Sequence, residues 1–359
     1  MINYRELFEQ IEKRALQDTN IYIVCGDGLD LAFFPDMVKD ARNRIIACGI
    51  SEQNQVSIAN GLALKGKKVY CLMMTAFLIH RALDQVKMAC FSNADINFIG
   101  YSTNIIPMEG GYSHISVDDF TILKNTPNLE IYNPYTKEEL NEVIEYTFHS
   151  KSPKFIAAVT ESNDNYNEKA VKMDGFSKLI NASNEFCLIS SGDAINFLTL
   201  NGFLADLAKR IDFPTIYSAY RIQPFNKDIL LKILKGYKYL VVFETRGEGA
   251  LCSTIAEIIA THGLKIKFYP IHFQNEKYDI VGYRNHAVTR YLIFDNLPSK
   301  IAASFKCKRK KVFRKKYSLD YNDFCVTVKY RFMGFTYYQK VINKNKPLKG
   351  VQLWLFIKK

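Results

Sequence analysis

The chain has 359 residues, 48% of them apolar, with charges of both signs; this suits a soluble globular protein of two ordinary domains, each able to bury a core. No run approaches the ~18 consecutive apolar residues that a membrane-spanning helix requires. The net charge of +12 is not spread evenly: residues 301–359 hold 16 Lys+Arg and 2 Asp+Glu, a net of +14, so residues 1–300, with 32 basic against 34 acidic side chains, carry −2.

Residues 1–17 alternate charged and apolar positions as an amphipathic helix does, and do not read as a signal peptide. The apolar run Ile21–Cys25 is a strand ending in Gly26-Asp27-Gly28, where a turn with positive φ is expected. Val38–Arg44 leads into a strand at 45–48, a helix over about 52–65 and a strand at 68–74. A helix over about 78–91 follows, with Leu78, Ala82, Gln85, Val86 and Ala89 at helical spacing, then strands at 96–100 and 129–132, a helix over 136–150 and a strand at 155–159. Strand and helix alternating at this spacing predict βαβ units and a parallel sheet covered on both faces.

The stretch from Glu161 to Ser183 is polar and irregular, as a connection between domains is. Alternation resumes with strands at 186–190, 213–217, 239–243 and 265–270 and helices at 194–210, 226–235 and 249–261. The fold class is therefore α/β, with two parallel-sheet domains at 1–165 and 184–300, a linker at 166–183 and a basic, aromatic tail at 301–359. Within the tail, Phe324–Val341 and Val351–Ile357 alternate like strands of a small sheet. Eight cysteines stand singly, without Cys-x-x-Cys or disulfide-like spacing, which predicts reduced thiols and a cytoplasmic protein.

Glu52 lies where an apolar strand meets a helix. A carboxylate there either complements the helix dipole, with Ser51 as cap, or performs chemistry. The order Gly49-Ile-Ser-Glu-Gln-Asn54, Ala59-Asn-Gly-Leu-Ala-Leu-Lys-Gly66 and Thr75-Ala-Phe-Leu-Ile-His-Arg-Ala-Leu-Asp-Gln-Val-Lys87 resembles the pyrimidine-binding domain of transketolases, above all the C-terminal half of split, two-subunit transketolases. The resemblance extends through Glu109-Gly-Gly-Tyr-Ser-His-Ile-Ser-Val-Asp-Asp119 and Pro127–Pro134. It reaches residue 300 through Ile222-Gln-Pro224 and Phe243-Glu-Thr-Arg-Gly-Glu-Gly249, which are weaker motifs.

The resemblance implies thiamine diphosphate as cofactor, whose pyrimidine amino group becomes a base when a carboxyl group hydrogen-bonds to ring N1′. By resemblance Glu52 is that carboxyl. Phe77 fits the aromatic that stacks on the pyrimidine. Arg81 and Gln85, one helical turn apart, either line the cofactor edge or pair within the subunit. His114 matches the family's loop histidine near the reacting carbon, a proton shuttle or oxyanion donor. Gly26-Asp27-Gly28 with Asn54 imitates the family's magnesium-diphosphate motif, but that motif belongs to the other cofactor-binding domain, so no metal site is expected in this chain.

The resemblance further implies that a separate diphosphate-binding, N-terminal-type transketolase subunit supplies that domain and holds Mg2+, in an α2β2 assembly. Three departures point to an altered substrate pocket. Glu109-Gly110-Gly111 replaces the family's Glu-Asp-Gly, Tyr101 or Ser102 takes the place of a family histidine, and Glu161 falls near the position of a phosphate-gripping arginine. These suggest transfer of a two-carbon ketol unit to an atypical, nucleotide-linked or deoxy sugar in surface-polysaccharide biosynthesis. The tail resembles the basic aromatic C-termini of some polysaccharide glycosyltransferases. It is either a solvated basic appendix without a specific partner or a segment for an anionic membrane surface or polysaccharide-assembly complex, which suits it better than nucleic acid. An E1β-like subunit of a 2-oxo acid dehydrogenase and a non-catalytic scaffold are the alternatives.

Overall fold

Residues 4–26, 28–105, 110–158, 170–192, 194–199, 203–273, 297–305, 314–320, 325–332 and 335–343 are described by a computed structural model. The first unit runs α1 (Tyr4–Gln17), β1 (Ile21–Cys25), α2 (Pro35–Asp40), β2 (Ile45–Ala47), α3 (Glu52–Leu64), β3 (Lys68–Met74), α4 (Thr75–Arg81), α5 (Leu83–Phe91), β4 (Ile96–Tyr101), α6 (Asp119–Leu123), β5 (Glu130–Tyr132), α7 (Lys137–His149) and β6 (Lys154–Ala157). The central strands β1, β3 and β4 are apolar on both faces because helices cover both sides, and β3 is buried from Lys68 to Met73. A second unit follows with β7 (Val171–Met173), β8 (Phe176–Ile180), β9 (Phe186–Ser190), α8 (Ala194–Thr199), α9 (Phe203–Ala208), β10 (Thr215–Ala219), β11 (Arg221–Gln223), α10 (Lys227–Leu234), β12 (Tyr239–Phe243), α11 (Leu251–Thr261), β13 (Lys267–Ile271) and α12 (Leu297–Phe305).

The first sheet has the order β11-β5-β6-β4-β3-β1-β2 and is parallel except for β11. From β1 the chain crosses outward to the edge strand β2 and then back to β3 on the other side of β1. The crossover direction therefore reverses between β1 and β3, and the carboxyl ends of these strands are the ordinary place for a ligand crevice in such sheets. The second sheet, β13-β12-β9-β10-β8-β7, is parallel through β10 and antiparallel at β8 and β7.

Several elements differ from the sequence expectation. The helix expected over 78–91 begins at Thr75 and breaks at Ala82, whose φ of −114° and ψ of 14° are not helical. Residues 171–180, placed in the linker, form the β7–β8 hairpin and extend the second sheet. Of the helix expected over 194–210, the described residues Ala194–Thr199 and Phe203–Ala208 are helical, while 209–210 are not. Gly26 is not in the left-handed region, and Asp27 lies outside the described residues. In the tail, β14 (Arg314–Asp320), β15 (Cys325–Phe332) and β16 (Phe335–Asn343) form an antiparallel sheet, while the strand expected at 351–357 lies outside the described residues.

The two units are interlocked. Strand β11, from the second, pairs antiparallel with β5 of the first, and Gln223 donates to the Leu129 carbonyl at 2.8 Å. Arg246 forms a bidentate pair with Asp119, Nε to Oδ1 at 2.6 Å and Nη2 to Oδ2 at 3.1 Å, with both side chains fully buried. Its guanidinium lies 3.5 Å from the centroid of Phe120. Glu139, which completes a capping box with Thr136, also accepts from Ser218 at 3.1 Å, so a helix cap of the first unit is fastened to a strand of the second. Arg246→Met leaves the Asp119 carboxylate buried without its cation, and should cost about 3–5 kcal/mol of stability by urea unfolding; a loss below about 1 kcal/mol would show that the pair is not a buried anchor.

Candidate active site

The site assembles at the reversal point. The first turn of α3 projects from the end of β2, and one turn in, the fully buried amide of Gln55 donates to the carbonyls of Val24 in β1 (3.3 Å) and Leu72 in β3 (2.6 Å). A Cβ on Gly26 would lie 2.9 Å from Gln55 Oε1, so a larger residue there would press on that amide. Gln55 thus fixes the rotation of α3, which places Glu52 at the mouth of the crevice with a side chain 14% exposed. Ser51 does not cap the helix; its hydroxyl donates to the Cys48 carbonyl at 2.8 Å and holds the β2–α3 turn instead.

Four of the five expected site residues are brought together. Arg81, the last residue of α4, donates from Nη1 to Glu52 Oε1 at 2.5 Å, and its Cζ lies 4.0 Å from the centroid of the Phe77 ring. Phe77 meets His114 edge to face, with centroids 5.2 Å apart and planes at 66°. His114 Nδ1 contacts Ser113 Oγ at 2.8 Å. Carboxylate, guanidinium, aromatic ring and imidazole therefore form one continuous chain of contacts. Gln85 does not join it. The break at Ala82 places it in α5, no longer one turn from Arg81 along one helix, and its Oε1 is buried without a hydrogen-bond partner.

The segment that carries His114 is tied down on several sides. Asn104 N donates to Ser116 Oγ at 2.9 Å, Ser116 N to the Asn104 carbonyl at 3.0 Å, and Gly247 N to the Val117 carbonyl at 2.8 Å. Asp118 contacts His80 of α4 at 3.2 Å, and that hydrogen bond holds its carboxyl below the ordinary range. Its neighbour Asp119 is the partner of Arg246. Successive aspartates thus fasten the His114 segment to α4 on one side and to the second unit on the other.

The departures noted in sequence acquire geometry. A Cβ on Gly110 would lie 2.6 Å from His114 Cγ, so no side chain, an aspartate included, can occupy 110 with the imidazole where it stands. Tyr101 donates its hydroxyl to the buried Asp30 at 3.1 Å. Ser102 and Asn104, just after β4, have φ of 50° and 53°, a conformation that non-glycine residues hold at a cost and that gathers at functional sites. Glu109 and Glu161 lie outside the described residues. Among the described residues no group of three or more His, Cys, Asp or Glu is placed to hold a metal ion, and Asn54 is exposed on α3. Nor do the nearby thiols offer a nucleophile: burial pushes Cys25 up to about 12.

Sequence reasoning did not find Gln55, His80 with Asp118, or Arg246 with Asp119. Polar side chains reaching across 17 to 127 residues leave no local pattern to read. Gln55→Glu replaces the donor to two carbonyls with an acceptor. At pH 7 it should cost about 2–4 kcal/mol, more than Gln55→Leu, and part should return toward pH 5 as the new carboxyl, its pKa raised by burial, takes up a proton and donates again. Equal unfolding curves for the two variants across that range would refute the assigned role.

Residues 7–168 match the family described as "Transketolase, pyrimidine binding domain". An apulose-4-phosphate transketolase subunit of Actinobacillus succinogenes is 26% identical over 246 residues, 68% of this chain and 78% of that protein. Its counterpart from Phocaeicola vulgatus is 22% identical over 282 residues, 77% of this chain and 89% of that one. Human transketolase is 26% identical over 241 residues, but only 38% of it is spanned. Among solved structures, one described as "Split gene transketolase, inactive beta4 tetramer" superposes with a TM-score of 0.68 at 16% identity, covering 85% of this chain and 97% of that chain.

Proposed function

Residues 7–168 form a transketolase pyrimidine-binding domain, and from that premise we propose that the chain is the pyrimidine-binding subunit of a heteromeric, thiamine-diphosphate-dependent ketol transferase. The observation that carries this is Glu52 at the mouth of the crevice, beside the Phe77 ring and on the same contact chain as His114. The residues present fit the cofactor's pyrimidine. Glu52 would hold a proton toward ring N1′, Phe77 would stack on the ring, and His114 would hold a proton facing a substrate oxygen. Bound thiamine diphosphate would supply the acyl-anion chemistry.

The diphosphate and its Mg2+ need a second cofactor-binding domain, and the proposal assigns both to a partner subunit in an α2β2 assembly. Two lines support a partner. The two apulose-4-phosphate transketolase relatives, which match along most of their length, are themselves named as single subunits, and the structurally similar split transketolase is described, as a β4 tetramer, as inactive. In addition, exposed apolar side chains are available for a partner to cover: Ile50, two residues before Glu52, is 81% exposed, and Leu64, Met88 and Phe91, towards the far ends of α3 and α5, are exposed as well. Ser92 Oγ, just after α5, bonds Asn60 Oδ1 of α3 at 3.3 Å, so these two helices lie side by side on that face.

Substrate choice is the less familiar half of the proposal. Those two relatives are named for apulose 4-phosphate, a sugar phosphate. Here His114 leaves no room for a carboxylate at 110, and Glu161 falls in sequence near the family's phosphate-gripping arginine, so the proposed acceptor is an atypical sugar, nucleotide-linked or deoxygenated, of the kind used in surface polysaccharides. An E1β-like activity is the second reading; it would require a 2-oxo acid and a lipoyl acceptor.

Isothermal titration of thiamine diphosphate with Mg2+ should show tight binding only when the diphosphate-binding partner is present; tight binding by the isolated chain would remove the partner requirement. In the reconstituted complex, turnover on candidate sugars should exceed that on xylulose 5-phosphate with ribose 5-phosphate, and Glu52→Gln should lower it by at least about 1,000-fold with the thermal unfolding curve unchanged. Ordinary pentose-phosphate efficiency would contradict the acceptor assignment, and near-normal activity of the variant would contradict the role of Glu52.

A further inference from the structure

The guanidinium of Arg81 makes two contacts at once: an N–H donated to Glu52 Oε1 at 2.5 Å and a cation over the Phe77 ring at 4.0 Å. Guanidinium is flat, with N–H donors in its own plane and a delocalised positive charge that lies well on an aromatic face. An aminopyrimidine is also flat, and when bound by Glu52 and Phe77 it would use the same two groups in the same way. We infer that Arg81 is a competitor built into the chain, occupying the seat of the cofactor's pyrimidine, so that the seat opens only to a ligand able to replace both contacts. The inference rests on the proposal that Glu52 and Phe77 bind that ring.

Ordinary helix-end pairing accounts for only part of the geometry. A cation in the last turn of α4 complements the helix dipole, and an acidic neighbour would attract it. Neither effect requires the guanidinium to lie over Phe77. Position also permits release. Arg81 is the last helical residue before the break at Ala82, and its side chain is 45% exposed, whereas Glu52 is 14% exposed. The arginine can therefore swing into solvent while the carboxylate stays in place. A side chain held by one partly exposed ion pair and one cation–π contact is a weak lock.

The consequence is a filter on affinity. If the seat is open for only a fraction of the time, the apparent dissociation constant rises by the inverse of that fraction. A ligand that stacks without bonding the carboxylate, or bonds it without stacking, replaces only one of the arginine's contacts and gains less. Arg81 then serves as a specificity residue for this half of the cofactor, keeping Glu52 paired until the right ring arrives.

The test uses the full chain and the pyrimidine fragment of thiamine, 4-amino-5-hydroxymethyl-2-methylpyrimidine, titrated by ligand-observed NMR at constant salt. Arg81→Ala should bind the fragment roughly fivefold more tightly than the native chain, since one partly exposed pair no longer has to be broken. Arg81→Lys, which keeps the charge but not the plane, should fall between the two, and Glu52→Gln added to Arg81→Ala should abolish the gain. Equal binding by the native chain and Arg81→Ala would overturn the competitor while leaving the pyrimidine site standing. Weaker binding by Arg81→Ala would overturn it by making the arginine a ligand-binding residue. Binding by none of the proteins, or binding unchanged by the Glu52 substitution, would overturn both the competitor and the pyrimidine seat.

Discussion

The amide of Gln55, bonded to β1 and β3 where the chain reverses its crossover direction, is the constraint on which the site depends. A parallel sheet leaves carbonyls at its carboxyl edge, and at the reversal point no crossing helix covers them. Gln55 reaches into that gap from α3 and donates to one carbonyl on each side. Its backbone is thereby held against the sheet, and Glu52, three residues earlier, has nowhere to go but the mouth of the crevice. Gly26, whose missing side chain leaves room for the amide oxygen, accommodates the contact. Strand order, one glycine and one buried amide together place the carboxylate.

A second constraint comes from across the molecule. The His114 segment has little regular structure of its own, yet it must keep its imidazole against Phe77. Asp118 and Asp119 point its anchorage in two directions, toward His80 on α4 and toward Arg246 in the second unit. The second unit thus helps hold the site, and the Glu-Thr-Arg-Gly stretch after β12 has a purpose at a distance. Position 110 follows from the same packing. With the imidazole resting on Gly110, a side chain at 110 has no space, so the glycine there is a matter of sterics as well as of sequence.

Much of this was legible in the sequence where the signal is local. Apolar runs bounded by turn residues marked β1, β3 and β12 at the bounds observed, and the helix expected over 136–150 is α7. Glu52, Phe77, Arg81 and His114, singled out by motif order, lie on one chain of contacts. What sequence could not show depends on where the chain returns. The periodicity from Leu78 to Ala89 runs smoothly through Ala82, because both short helices pack on the same core and only backbone angles reveal the break. That break separates Gln85 from the site. The hairpin at 171–180 was hidden by its place between polar stretches, as antiparallel strands can keep one face in solvent. For Arg81 the sequence left open whether it lines the cofactor edge or pairs within the subunit, and could not show that it bonds Glu52 and covers Phe77 at once.

The central claim is that Glu52 activates the pyrimidine of a cofactor held jointly with another subunit. Its most direct test is the rate at which the C2 proton of thiamine diphosphate exchanges with deuterium, read by quenched-flow NMR before any sugar is added, because this step needs no knowledge of the substrate. The complex of this chain with its diphosphate-binding partner should accelerate exchange well above the free cofactor, and Glu52→Gln in the same complex should be slower by about 100-fold or more. Exchange at the native rate in the variant complex would contradict the role given to Glu52.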